Sequence, residues 1–163
     1  MVEAEGQEKS EMRWLLYSVV LGTALMVPLE KNNVGNLQPM EAVYLKLEGE
    51  QVVIRTDTGD QGAGETMTDA VKDLHNTAPG IVYMDTADYL IVNENAKGII
   101  EDAAQYLKPS VRMCMTKEDV DLMYAAKYLN AHKPNVKLCD EENYQNIERL
   151  SVENNYLKLK ENA

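Results

Sequence analysis

The stretch VVIRTDTGDQGAGETMTDAVKDL, residues 52–74, contains the three kinds of segment from which we predict the fold. It opens on a β-rich run that predicts a strand. The glycine-rich loop 57–64 follows, and Thr66 with Asp69 then has the spacing of a helix capping box. The apolar side chains after Thr66 share one helical face: Met67, Ala70, Val71 and Leu74. The stretch therefore predicts a strand that leads through a polar turn into an amphipathic helix.

A second strand is predicted immediately before this stretch. AVYLKL, residues 42–47, alternates, with Val43, Leu45 and Leu47 on one side and Tyr44 and Lys46 on the other. The sequence Glu-Gly-Glu at 48–50 has the composition of a tight turn, and QVVIRT is its return strand. The pattern predicts a β-hairpin.

After the helix, strands and helices alternate. Pro79-Gly80 ends the first helix, and GIVYM and DYLIV at 80–84 and 88–92 are short β-rich runs separated by a bulge or turn. Asn93 or Asn95 caps the second helix, which Pro109 ends. Its apolar stripe is Ala96, Ile99, Ile100, Ala103 and Leu107.

A further strand and helix complete the alternation. SVRMCMT, residues 110–116, is a strand with Val111, Met113 and Met115 on one face. Thr116 with Asp119 has capping-box spacing and predicts a third helix that runs to about His132.

The C-terminal part predicts an acidic loop at 139–146 and a second hairpin at 149–160, turning at Asn154-Asn155. Because crossover helices connect parallel strands and hairpins add antiparallel ones, residues 40–163 are predicted to be an α/β domain. Its sheet is mixed and partly parallel, with helices packed on it and a hairpin at each end.

Three segments precede this domain: a polar leader at 1–13, a hydrophobic segment at 14–29 and a linker at 30–39. The hydrophobic segment, WLLYSVVLGTALMVPL, has the length of a signal-peptide core or a tilted anchor. The acidic leader and the lack of a clean cleavage site instead fit a buried element of a folded domain. We favour export or anchoring and keep the buried element as the alternative.

The composition limits the classes of partner. The net charge of −11 argues against nucleic acid and against adsorption to an anionic bilayer through charge, since both require a positive surface. The apolar strand pattern around Cys114 predicts a buried thiol, and a bridge between Cys114 and Cys139 is left open. His75 and His132 lie near predicted helix ends without a second ligand at metal-binding spacing.

Two motifs in and directly after the loop 57–64 resemble parts of known sites, one catalytic and one phosphate-binding. Asp57-Thr58-Gly59 spells the aspartic protease tripeptide, but polar residues precede it and no second copy is present to share a proton. Glu65-Thr66 stands where a phosphate-binding loop needs Lys-Ser/Thr. We therefore predict a plain turn with a positive φ at Gly62, Gly64 or both, and we assign no catalytic, cofactor-binding or metal-binding residue.

Residues 42–116 resemble the first part of the Ger(x)C-type spore-germination receptor subunits. The resemblance is carried by Gly62, Gly64 and Thr66 at the start of the first helix and by Ala96 and Gly98 near the start of the second. Members of that family are larger lipoproteins with a lipid-bearing cysteine near the start, whereas the cysteines here are at 114 and 139. The resemblance implies an α/β fold and an extracytoplasmic, non-enzymatic role in a spore-forming bacterium.

The sequence thus predicts a non-catalytic domain, secreted or anchored to a membrane through residues 14–29, that acts by contact with a protein partner and needs no cofactor. Its process is predicted to be related to sporulation or germination. The alternative is a soluble, cytoplasmic small-molecule-binding or hydrolytic domain that uses the loop 57–64.

Overall fold

The computed structural model of the chain describes Tyr17, residues 37–154 and residues 156–161. Three predicted segments lie outside these residues, wholly or except for Tyr17: the leader 1–13, the hydrophobic segment 14–29 and residues 30–36 of the linker. The rest of the predicted linker is partly ordered as a strand, because residues 37 and 38 pair in parallel with residues 81 and 82.

The described strands are β1 (Leu37–Gln38), β2 (Ala42–Glu48), β3 (Gln51–Thr56), β4 (Gln61–Gly64), β5 (Ile81–Val82), β6 (Tyr89–Asn93), β7 (Arg112–Thr116), β8 (Arg149–Glu153) and β9 (Tyr156–Lys160). The α-helices are α1 (Met67–Thr77), α2 (Ile100–Ala104) and α3 (Leu122–Ala131), with 3-10 helices at Met84–Thr86, Glu94–Ile99 and Glu141–Asn146.

Seven of these strands form one mixed sheet in the order β4-β3-β2-β6-β7-β8-β9. The pairs β2-β6, β6-β7 and β7-β8 are parallel, and the outer pairs β4-β3, β3-β2 and β8-β9 are antiparallel. This arrangement confirms the predicted α/β fold, with a partly parallel sheet and a hairpin toward each edge.

Helices cover both faces of this sheet. On one side, which we term the α1 face, α1, α2 and the 3-10 helix before α2 pack on the side chains of Leu45, Ile54 and Leu90. On the opposite side, the α3 face, α3 packs on Tyr44 and Ile91. The predicted alternation of side chains along β2 is confirmed, because its odd-numbered residues lie on the α1 face.

The first helix forms as its capping signal predicts. The Asp69 amide donates to Thr66 Oγ1 (3.1 Å), and Thr66 Oγ1 donates to Asp69 Oδ2 (2.6 Å). The four predicted stripe residues are all buried: Met67, Ala70, Val71 and Leu74. The helix ends at Thr77, two residues before Pro79.

The predicted positive φ at Gly62 and Gly64 is wrong. Both residues belong to β4, and the chain reverses before them, at Gly59, whose φ is +92°. The reason for glycine is space, because α1 lies directly against the β4 backbone. A Cβ on Gly62 would lie 2.3 Å from the Ala70 carbonyl oxygen, and one on Gly64 would lie 2.5 Å from the Ala70 nitrogen.

The second helix is present in a different form. Its N-terminal part is the 3-10 helix Glu94–Ile99, capped by Asn93, whose Oδ1 accepts from the Asn95 amide (3.3 Å). The short α2 continues from it. The predicted stripe is buried at Ala96, Ile100, Ala103 and Leu107 and partly buried at Ile99.

The third helix begins later than predicted. Asp121 is its N-cap and accepts from the Tyr124 amide at 3.0 Å. The predicted Thr116–Asp119 capping box is therefore wrong. Thr116 Oγ1 instead bonds to the backbone of Glu118, and the Asp119 side chain bonds to the sheet. The predicted end is confirmed, since the helix stops at Ala131, one residue before His132.

The C-terminal hairpin is confirmed, because Glu153 pairs with Tyr156 in antiparallel register. Of its predicted turn, Asn154 is described and Asn155 lies outside the described residues. It joins the rest of the sheet through one residue pair, Met115 with Arg149. The predicted acidic loop before it contains the 3-10 helix Glu141–Asn146.

Candidate functional site

The Asp57-Thr58-Gly59 tripeptide forms the turn after β3. The Asp57 carboxylate accepts hydrogen bonds from the backbone amides of Glu41 and Ala42, at 3.1 to 3.2 Å. In return, the Asp57 amide donates to the Ala42 carbonyl oxygen (3.1 Å). The carboxylate therefore ties the turn to the start of β2, a structural role that its protease-like sequence does not indicate.

We expect Asp57→Ala to lower the free energy of unfolding by about 1–2 kcal/mol, because two backbone amides lose a charged acceptor in a partly buried position. Asp57→Asn keeps one acceptor oxygen and should lower the free energy of unfolding by less. Urea denaturation measures both variants, with the exposed Glu65→Ala as the control. Equal stability of Asp57→Ala and the parent chain would contradict this structural role.

A polar cluster that the sequence did not indicate lies on the α3 face. The Asp119 carboxylate accepts from the Tyr44 hydroxyl (3.0 Å), from Lys46 Nζ (3.3 Å) and from Arg55 Nη2 (2.8 Å). Asn93 Nδ2 donates to the Tyr44 hydroxyl oxygen (3.0 Å), and the Arg55 guanidinium lies 4.8 Å from the centre of the Tyr44 ring. We term these five residues the Asp119 cluster.

The ionisation of this cluster favours a fixed network over proton transfer. Burial is the main cause that raises the pKa of Tyr44 above its ordinary value. Desolvation acts to raise the pKa of Asp119, but hydrogen bonds from Tyr44 and Lys46 and the charge of Arg55 outweigh it and lower that pKa. At neutral pH Tyr44 is thus a protonated donor and Asp119 an ionised acceptor.

Next to this cluster is the place where doubly wound sheets bind their ligands. The chain leaves β6 toward the α1 face and β7 toward the α3 face, so the carboxyl ends of these strands form a switch point. Protein groups occupy it here. Glu94 forms ion pairs with Arg149 (2.7 Å) and Lys117 (3.6 Å), and the buried Asn93 binds Tyr44.

A cavity of about 270 Å³ lies between the turn after β3 and the start of α3. We term it the α3 notch; its lining includes Arg55, Asp57, Asp60, Val120, Asp121, Leu122 and Met123. Of the sequence-predicted loop 57–64, the part from 57 to 61 borders it. Arg55 belongs to both the notch and the Asp119 cluster, so the cluster fixes one wall of the notch.

A larger cavity of about 400 Å³ lies beside Asn135, Asn143 and Glu148. Glu148 is 8% exposed, and its carboxylate accepts from the Asn135 backbone amide (2.5 Å) and side-chain amide (3.3 Å). Its buried charge therefore ties the loop after α3 to the start of β8.

The remaining sequence candidates are dispersed. His75 lies in the last turn of α1, and His132 stacks on the Tyr128 ring with 4.3 Å between centroids. Cys114 is buried and Cys139 exposed, and both are free thiols, which settles the open question of a bridge. Burial raises the pKa of the Cys114 thiol. Within the described residues, no three His, Cys, Asp or Glu side chains are grouped to hold a metal ion.

Comparison with protein-family models, with curated proteins and with solved structures finds no match to this chain. Among the residues that the structure describes, no helix has both the length and the apolar character needed to cross a bilayer.

Proposed function

We propose that this chain is a non-catalytic binding protein whose α/β domain acts by contact with a partner protein. The observation that carries the proposal is the pair Met123 and Tyr124 at the start of α3. Their exposed fractions are 59% and 45%, and Met123 also lines the α3 notch. Methionine and tyrosine are enriched at protein interfaces, and exposed apolar side chains beside a concave site are typical of a docking surface.

The Asp119 cluster supports the same proposal. Its carboxylate already accepts three side-chain donors, and its tyrosine is held protonated. These groups therefore serve to position the segment that leads into α3. A rigid support of this kind is what a preorganised binding surface requires.

The proposal also includes the cellular location of the protein and the biological process in which it acts. The hydrophobic segment 14–29 supports secretion or membrane anchoring, and the resemblance of residues 42–116 to germination receptor subunits supports a role in sporulation or germination. Protease treatment of intact cells tests the location, because an extracytoplasmic domain is then degraded while a cytoplasmic marker survives.

A second candidate function is binding of a small molecule by the loop 57–64. The observation that favours it is that the turn 57–61 forms one wall of the α3 notch. On this hypothesis a small ligand would shift the amide signals of the turn, and no protein would need to contact Met123.

The proposed function is tested by site-specific photocrosslinking in the cells that make the protein. A benzophenone amino acid in place of Met123 in the full chain is expected to give one discrete adduct with another protein. The control places the same group at Tyr156, which is 67% exposed but lies on the C-terminal hairpin. No adduct from position 123, or the same adducts from both positions, would contradict the proposal.

A further inference from the structure

Resting on the proposed function, we infer that the α3 notch receives a cationic side chain, a lysine or arginine, from a segment of the partner protein. Its head group would lie beside the carboxylates of Asp60 and Asp121, and its aliphatic stem would lie against Val120, Leu122 and Met123. The partner is thereby assigned a chemistry: a basic segment that also carries an apolar residue for contact with Tyr124.

The charge of the lining indicates a cation. Among the described residues that line the notch, three are acidic, Asp57, Asp60 and Asp121, and one is basic, Arg55. The Arg55 charge is already paired with Asp119 at 2.8 Å. The whole chain carries a net charge of −11, so a positive partner is also attracted over a longer range.

Two of these carboxylates have room for another donor. Within the part of the chain that the structure describes, the Asp60 carboxylate accepts one hydrogen bond, from the Thr58 hydroxyl at 2.7 Å. Within the same residues, the Asp121 carboxylate accepts one, from the Tyr124 amide at 3.0 Å. An ionised carboxylate offers about four acceptor positions, so each retains capacity for an ammonium or guanidinium group.

The apolar part of the lining fits the stem of such a side chain. Val120 and Leu122 are 9% and 8% exposed, and together with Met123 they form the apolar side of the notch. Lysine and arginine bury their methylene groups on apolar surface while the charged head stays near water or an acid. One side chain can therefore satisfy both kinds of lining.

The start of α3 does not make this an anion site. A helix N-terminus favours an anion, but here the Asp121 carboxylate already occupies the capping position. An incoming phosphate would meet the charges of Asp57 and Asp60 as well. The occupant that the lining favours is thus positive.

The test uses three short blocked peptides of equal length as probes, with the order Leu-Lys-Ala-Leu-Lys, Leu-Glu-Ala-Leu-Glu and Leu-Gln-Ala-Leu-Gln. Each is titrated into the full chain at 0.15 M salt while backbone amide NMR signals are recorded. The lysine peptide is expected to shift the signals of residues 58–61 and 120–124, less so at 0.5 M salt. If those signals do not move, or if the glutamate peptide moves them equally, the inference is wrong.

Two variants of matched charge separate the notch from general attraction to an acidic protein. Asp60→Asn with Asp121→Asn removes two notch charges and keeps the helix cap, since asparagine caps as well as aspartate. Glu101→Gln with Asp102→Asn removes two exposed charges on α2. The first pair of substitutions should lower the affinity for the lysine peptide by about fivefold, and the second pair should lower it by much less. Equal weakening of both would overturn the notch assignment.

Failure of this inference and failure of the proposed function give different results. If the adduct from position 123 forms in cells and persists in Asp60→Asn with Asp121→Asn, Met123 contacts a partner but the partner's cation does not use the notch. If no adduct forms from position 123, the proposed function itself is wrong. If the adduct forms from position 123, is lost in Asp60→Asn with Asp121→Asn and persists in Glu101→Gln with Asp102→Asn, the proposed function and the notch inference are both supported.

Discussion

Gly62→Ala is expected to lower the free energy of unfolding by about 3 kcal/mol, a large loss for one methyl group. The added Cβ would lie 2.3 Å from the Ala70 carbonyl oxygen, 2.4 Å from the Leu74 nitrogen and 2.6 Å from Leu74 Cβ. Two of these atoms belong to the backbone of α1, so no side-chain rotation relieves the overlap. The helix must move away from β4, and urea denaturation at constant temperature measures the result.

Gly98→Ala is the matched control. A Cβ at Gly98 would meet no atom within 4 Å, and its φ lies outside the left-handed region. Replacing such a glycine restricts the unfolded chain, so Gly98→Ala should be neutral or more stable by up to about 1 kcal/mol. If Gly62→Ala unfolds at the same urea concentration as Gly98→Ala, then α1 does not rest on the β4 backbone as described.

The sequence could predict the sheet and its first helix because each signal was local and complete. In β2, alternate residues have opposite environments, so the order of Val43, Tyr44 and Leu45 shows the strand period directly. In α1 the cap Thr66 and its partner Asp69 are three residues apart, and the helix forms around that contact. Neither depends on distant parts of the chain.

The predictions that were wrong concern residues whose type or spacing can serve two structural purposes. Glycine permits a positive φ, and it also permits close approach because it has no Cβ. At Gly62 the second reason holds, and only the position of α1 reveals it. Thr116 and Asp119 have the same spacing as Thr66 and Asp69, yet Asp119 bonds to Tyr44, 75 positions earlier in the chain. A tertiary contact with a buried tyrosine overrode the local capping pattern.

The candidate site was less predictable than the fold for the same reason. The Asp119 cluster joins residues from β2, β3, the end of β6 and the segment before α3. One signal was present, since Asn93 and Thr116 are polar residues at the carboxyl ends of predicted parallel strands, where binding sites of such sheets occur. That signal locates an edge of the sheet, but it does not identify Asp119 or the α3 notch.

Tyr44→Ala is expected to lower the free energy of unfolding by about 3–5 kcal/mol, comparable to other truncations of a buried aromatic residue. Tyr44 is fully buried on the α3 face, at the centre of the Asp119 cluster. Its removal leaves a cavity under α3 and deprives Asn93 Nδ2 of the hydroxyl that it binds at 3.0 Å. Arg55 also loses the ring against which it packs.

Tyr44→Phe separates the hydroxyl from the ring. It fills the same space but leaves the Asn93 amide without that acceptor, so we expect a loss of about 1–2 kcal/mol, clearly less than for alanine. Tyr156→Phe removes a hydroxyl from a side chain that is 67% exposed and should change stability by less than about 0.5 kcal/mol. Chemical denaturation of all three compares them directly. If Tyr44→Phe were as stable as Tyr156→Phe, the Tyr44 hydroxyl would not hold Asn93 and Asp119 together. The Asp119 cluster would then not be the rigid support that we assign to the α3 notch.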